Sequence, residues 1–481
     1  MDEAKRIFRT KLPARALGEQ PSGGLKRVLG AKDLVALGLG AIIGTGIFVL
    51  SGVAAARYAG PGIVISFLVA GIASALAALV YAELAAMFPA AGSAYTYTYA
   101  ALGEIAAWFI GWNLILEYTV ASAAVALGWS GYFLDLLRPL GLQLPASFTT
   151  SPFAGGIINL PPVIIVGIIA CLISTGTKES SQVNKIVVAL KLGAILLFLA
   201  LGLSRFDPAN WRPFLPFGVQ GILRGAGIIF FAYIGFDAVA TAAEEVRNPQ
   251  RNLPLGIIGA LLISTVLYLG VAAALTGMVK YAILDTPSPV STALLRRGLT
   301  WAVAFVSAGA LAGLTSVLLV NFFAQSRILF AMSRDGLLPP VFARLHPRFG
   351  TPAFSIMTTG VTAAALSSLL PIHLIAELAN IGTLSAFAVV SLGVIILRYT
   401  RPQQHRPFRV PLAPYLPLLS LAASLYLIFN LPVLTWYRFF GWLALGLLIY
   451  FAYGIHHSTA GPEKENLPLP QPAAKPEKRK P

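Results

Sequence analysis

The sequence predicts an all-α polytopic membrane protein. Twelve transmembrane helices form a five-plus-five inverted repeat (spans 1–5 and 6–10) with two extra helices, and helices 1 and 6 are unwound in mid-membrane. Three observations predict this. The 481 residues are 57% hydrophobic and only 11% charged, whereas a soluble chain carries about 25% charged residues to cover its surface. Apolar runs near the length of about 20 residues that a bilayer span needs recur along nearly the whole chain. Glycines interrupt two of those runs, and the two lie five spans apart.

Taken in order, the spans fall at 33–57, 61–88, 104–134, 155–177, 184–203, 218–243, 254–277, 301–330, 354–370, 375–398, 413–431 and 436–455. Span one contains Gly38, Gly40, Gly44 and Gly46 within nine residues, and each glycine costs a helix about 1 kcal/mol relative to alanine. Close packing through small residues accounts for scattered glycines; Gly44-Thr45-Gly46 in mid-span fits a non-helical kink better. Span six carries Phe230 to Asp237, where Gly235 and Asp237 break an apolar run. Interrupted segments at matching positions of two halves point to a binding site of the transporter type. Five spans per half is odd, so the second half is inverted. Spans eleven and twelve are then additions.

The twelve helices make one domain over 33–455, preceded by a polar cytoplasmic segment (1–32) without the apolar stretch of a cleavable signal. A Pro-, Lys- and Glu-rich cytoplasmic tail (456–481), expected to be disordered, follows it. The net charge of +16 suggests nucleic acid in a soluble chain. Here 25 of the 35 lysines and arginines sit in segments on one side of the spans, nine on the other, and Lys191 within span five. That asymmetry puts both termini in the cytoplasm of a multi-pass cell-membrane protein. Acidic lipid headgroups are the expected partners, with a sterol a weaker candidate at Arg438–Leu443; nucleic acid is not expected. Cys171 is the sole cysteine. Read as buried in span four, it leaves no thiol for a disulfide-linked heavy chain, while a small single-span partner stays open. Phosphate-loop, zinc-helix and nucleophile-elbow signatures are absent, so no enzyme, cofactor or metal is expected, and transport would be gradient-driven.

Backbone that is not helical at membrane depth lines a cavity. A broken helix offers free N–H groups at one half-helix start and free carbonyls at the other half's end, the first for a carboxylate and the second for an ammonium. An α-amino acid carries both groups. The amides of Thr45 and Gly46, beside Gly44, would hold the carboxylate; carbonyls near Ile43, Phe231, Ala232 and Ile234 would hold the amine. Ionisable residues inside spans are functional candidates by default. Lys191 either snorkels or gains and loses the coupling proton, with Tyr268 as a polar neighbour in span seven. Glu117 and Asp237 are acidic candidates for a side-chain pocket, or else structural partners of Lys191 or a hydroxyl. Asn321 either lines the pocket or bonds a helix. Glu244 and Glu245 are a charged helix end or an inner gate. Glu83 and Glu104 read as interfacial.

Several long motifs then resemble the amino acid–polyamine–organocation (APC) superfamily. Leu34 to Glu117, with Gly-Ala-Ile-Ile-Gly-Thr-Gly-Ile-Phe, is similar to its first spans. Phe231 to Pro254, Arg327 to Leu338 and Asn380 to Tyr399 resemble its cationic amino acid transporter (CAT) family, and more closely a bacterial homologue of it. The resemblance implies the inverted-repeat fold, L-amino acid transport and alternating access. It makes Phe231 a gate over the substrate. It matches Lys191 to a lysine that occupies the place of a coupling sodium, so the coupling ion is a proton. Animal CATs have fourteen spans, and this departure loosens the expectation of strictly cationic substrates. The expected function is proton symport of small neutral L-amino acids such as alanine, with room for cationic ones such as arginine. The alternatives are a cationic amino acid or polyamine exchanger, a potential-driven uniporter, and a membrane amino-acid sensor that does not translocate.

Overall fold

The computed structural model describes residues 29–88, 93–138, 141–142, 144–176, 181–237, 239 and 246–458. Among these the chain is helical with no strand; one isolated bridge joins Leu29 to Val246. Each of the twelve intervals read from the sequence contains helix. Seven helical stretches are long and apolar enough to cross a membrane, beginning with the continuous Gly46–Met87. Four shorter apolar helices, Leu160–Ser174, Gly218–Tyr233, Ala353–Leu369 and Tyr415–Phe429, accompany them. The protein is a multi-pass helical membrane protein.

The helices that build the site are α1 (Ala31–Ile42), α2 (Ile63–Met87), α3 (Ser93–Leu102), α4 (Glu104–Leu137), α5 (Leu160–Ser174), α6 (Ser181–Ser204), α7 (Gly218–Ile229) and α8 (Pro249–Met278), followed by α9 (Pro289–Arg296), α10 (Thr300–Arg334), α11 (Ala353–Leu369) and α12 (Ile372–Thr400). Small residues let them approach closely, as membrane helices require. A Cβ on Gly38 of α1 would stand 2.5 Å from that of Ala260 in α8, and one on Gly256 of α8 2.5 Å from that of Leu34. The outer faces are apolar: Ile164, Ile168 and Leu172 expose one stripe of α5 and Leu262 and Val266 one of α8, surface that only lipid covers favourably.

Several expectations change. Cys171 is exposed on the outer stripe of α5; an apolar run has no polar residues to show which of its faces points inward. Glu83 and Glu104, read as interfacial, are each 1% exposed and held by partners within the protein. Arg398 donates to both oxygens of Glu83, at 2.6 and 3.2 Å, and the Val410 amide adds a bond at 2.7 Å. Glu104 accepts from the hydroxyls of Tyr99, Tyr450 and Ser458. The expected cytoplasmic segments overlap helix at both ends, since α1 starts at Ala31 and a last turn reaches His457. The rest of 1–28 and 459–481 lies outside the described residues, as do Glu244 and Glu245.

Candidate functional site

The first helix stops at Ile42, and Ile43 is extended (φ −78°, ψ 98°); helical conformation resumes at Gly46. A helix that ends leaves its last carbonyls without intrahelical donors. Lys191 of α6, fully buried, supplies them: its Nζ donates to Gly40 O at 2.7 Å and Ile43 O at 3.1 Å. Its partners are backbone, neither Glu117 nor Asp237. Gly313 makes room for it, since a Cβ there would lie 3.1 Å from Lys191 Cδ.

The second break follows α7. Phe230–Tyr233 tighten into a 3₁₀ turn, Ile234 is extended (φ −60°, ψ 138°), and Gly235 takes φ 112°, where an L side chain is strained. The Asn380 amide of α12 ties down the end of α7 through Gly227 O (2.8 Å) and Ile228 O (2.9 Å). The two breaks touch: a Cβ on Gly46 would stand 2.2 Å from Ala232 Cα, and one on Gly235 2.9 Å from the Ala41 carbonyl. Tyr268 of α8 bridges them, its hydroxyl lying 2.9 Å from Ile42 O and 2.8 Å from Ala232 O. One hydroxyl proton serves one of those carbonyls at a time. Three of the four carbonyls expected to hold an ammonium therefore already have donors, namely Ile43 (Lys191), Ala232 (Tyr268) and Phe231 (the Ile234 amide, 3.2 Å).

Between the breaks lies a cavity of about 20 Å³, the space of roughly one water. Of the residues singled out in the sequence, Gly44, Thr45, Gly46, Phe231, Ile234 and Asn321 line it; Ile43 and Ala232 touch the breaks without lining it. Sequence reasoning missed Ala121 and Val125 of α4 and Val317 of α10. Their only signal is a one-turn spacing, shared with Glu117 on α4 and Asn321 on α10. Two cross-helix hydrogen bonds frame this wall, Trp129 to Thr315 (3.1 Å) at one end and Gln325 to Thr119 (2.5 Å) at the other. Thr45 Oγ1 is buried with no hydrogen-bond partner among the described residues.

One turn along α4 from Ala121, Glu117 is 1% exposed and close enough to Asp237 to interact electrostatically. Tyr118 donates to Asp237 at 3.1 Å, and Tyr81 and Tyr97 face the same acid. Neither carboxyl lines the cavity; the pair lies behind its wall, Glu117 one turn of α4 from Ala121. No cluster of potential metal ligands occurs among the described residues.

The family model described as amino acid permease matches residues 29–451. The chain is 46% identical to the methylthioribose transporter of Bacillus subtilis (strain 168), over 94% of this chain and 98% of that protein. It is 47% identical to the branched-chain amino acid permease BcaP of the same organism, with the same coverage. Against the cationic amino acid transporter 4 of Mus musculus it is 33% identical, over 92% of this chain and 89% of the relative.

Proposed function

The chain belongs to the amino acid permease family of the APC superfamily, and from that membership we propose that it is a proton-coupled L-amino acid symporter working by alternating access. Family membership makes it a transporter and not an enzyme. We read twelve spans in the cell membrane, both termini inside, and the two breaks as the unwound centres of an inverted repeat.

The observation that carries the coupling is the pair of bonds from Lys191 Nζ to Gly40 O and Ile43 O. A protonated lysine makes charge-assisted bonds, about twice as strong as neutral ones, and so holds the end of α1 in place. Loss of the proton weakens both bonds and lets α1 move. Each carbonyl has two lone pairs, so Ile43 O can serve Lys191 and a substrate ammonium together. The amides at Thr45 and Gly46 take the carboxylate. The cavity admits an amino acid only when Phe231 and the broken helices move apart. Its Ala121, Val125 and Val317 wall suits a small apolar side chain such as alanine's. A second reading, potential-driven uptake or exchange of cationic amino acids, is favoured by Glu117 and Asp237. Names among the relatives include both branched-chain and cationic amino acids.

Uptake of labelled alanine and arginine into proteoliposomes tests the choice, with an inward proton gradient and the potential clamped at zero. Symport predicts alanine concentrated above equilibrium, and this accumulation lost in Lys191→Ala. Arginine uptake indifferent to the proton gradient, without alanine uptake, would replace symport by the second reading.

A further inference from the structure

Far along the chain from Lys191, the second half of span one carries Arg57 in its last turn, Ala55–Ala59. Its Nε donates to Asp285 Oδ2 at 2.9 Å and its Nη1 lies 3.2 Å from Nδ1 of His373, the second residue of α12. A guanidinium has no acceptor and always donates. His373 Nδ1 is therefore the acceptor, and the ring is neutral with its proton on Nε2. A protonated imidazole has no free nitrogen lone pair. The Arg57 bond and the charged ring are mutually exclusive, and charging the ring would set two cations side by side. Arg57 and Asp285 have side chains 40% and 39% exposed, so protons reach the cluster from water. The other charges facing it are Arg438, which acts on His373 from the twelfth predicted span, Glu377 one turn along α12, and Arg224 of α7, which acts on neighbouring Tyr58.

The contact joins three segments far apart in the chain. The loop that holds Asp285 wedges Pro287 and Pro289 between the half-helix and α4. A Cβ on Gly52 would stand 2.2 Å from Pro289 Cβ, and one on Gly131 2.6 Å from Pro287 Cβ. The half-helix whose last turn carries Arg57 begins at Gly46, in the site. The Arg57 cluster therefore ties this loop and α12 to one of the helices that must move for the cavity to open.

We propose that His373 is a second proton-binding site, and that a proton there releases Arg57 and unlatches α12 from the first helix and from the 284–289 loop that Asp285 keeps bound to it. The use made of it, opening the outer side of the carrier to substrate when the outside is acidic, rests on the transport and orientation reading above. Asp285 retains the released arginine, so the latch can close again.

The test reads the latch without substrate. In the full chain carrying Cys171→Ala, spin labels at Ala282→Cys, in the 3₁₀ turn Tyr281–Leu284 that leads into the loop, and Tyr437→Cys near the start of the last predicted span report their separation by pulsed EPR at pH 8 and pH 5.5. The expected result is a longer distance at pH 5.5. His373→Asn, whose amide oxygen keeps an uncharged acceptor for Arg57, should keep the pH 8 distance at both values. Arg57→Met, which removes the donor, should show the long distance at both. A distance that ignores pH, or that shifts as far in His373→Asn, overturns the proposal. Alanine exchange at equal pH on both sides adds a separate arm: it should rise on acidification and lose that rise in His373→Asn, and an unchanged rise also overturns the proposal. Absence of any alanine transport refutes the symport reading and leaves the spin-label result to decide the latch.

Discussion

Gly46 and Gly38 face similar crowding with different expected consequences. A methyl on Gly46 would meet backbone of Ala232 at 2.2 Å, between the two breaks; one on Gly38 would meet the Ala260 methyl at 2.5 Å, in the contact of α1 with α8. Overpacking of this kind costs about 1–3 kcal/mol, so both alanine variants should melt earlier than the parent in a thermal-shift assay. Only Gly46→Ala pries the breaks apart, and it should abolish alanine binding measured by calorimetry, while Gly38→Ala retains it. Equal loss of binding in both would reduce Gly46 to a packing residue. Tyr268→Phe makes a narrower test. It removes one hydroxyl that lies between Ile42 O and Ala232 O, a net loss of about 1 kcal/mol in stability. Transport should fall by more than that loss of fold explains, since the hydroxyl links both moving segments.

At the scale of elements, α12 acts as a spine. His373 meets Arg57, Asn380 holds the end of α7, Phe387 packs on Tyr81, Phe230 and Phe236, and Arg398 pairs with Glu83 of α2. Arg406, in the loop after α12, completes that last pair at 3.5 Å from Glu83 Oε1. Burial pushes its guanidinium below the ordinary value, and Glu83 opposes that shift. Glu83→Gln keeps the shape and removes the charge, leaving two cations without their carboxylate. Removing one partner of a buried pair costs about 3–5 kcal/mol, reduced here because Arg398 is 25% exposed. The melting temperature should drop, and Glu83→Asp should recover part of it; a wild-type midpoint in Glu83→Gln would show the clamp to be idle. This clamp also shows what the sequence hides. Lys191, Gly44 to Gly46 and Gly235 were legible because charge and glycine are costly inside an apolar run. The pairing of Glu83 with Arg398 and of Glu104 with Tyr450 was illegible because those partners lie 315 and 346 residues away, a distance no local pattern spans. Ala121, Val125 and Val317 were invisible because residues that merely shape a wall carry no chemistry of their own.

For the molecule as a whole, the twelve-span reading has a consequence of parity. An even number of crossings returns the chain to its starting side, so the N- and C-termini must share a face, whereas eleven or thirteen crossings would part them. The charge asymmetry of 25 against nine basic residues predicts that this shared face is the cytoplasmic one, because positively charged loops stay there. The shorter apolar helices make the count worth testing: Leu160–Ser174 and Tyr415–Phe429 each have 15 residues, about 22 Å of helix against a hydrocarbon core of about 30 Å. Protease sites fused to each terminus should both be cut from the inside of right-side-out vesicles and both be spared from the outside. Cutting at opposite faces would mean that one of these short helices lies along the membrane instead of through it. Cys171 gives the second half of the argument, because it sits on the exposed stripe of Leu160–Ser174 itself. A bimane attached there should be quenched by spin labels carried on lipid chains and not by aqueous iodide if that helix crosses. Quenching by iodide would put it at the surface and cost the fold its even count.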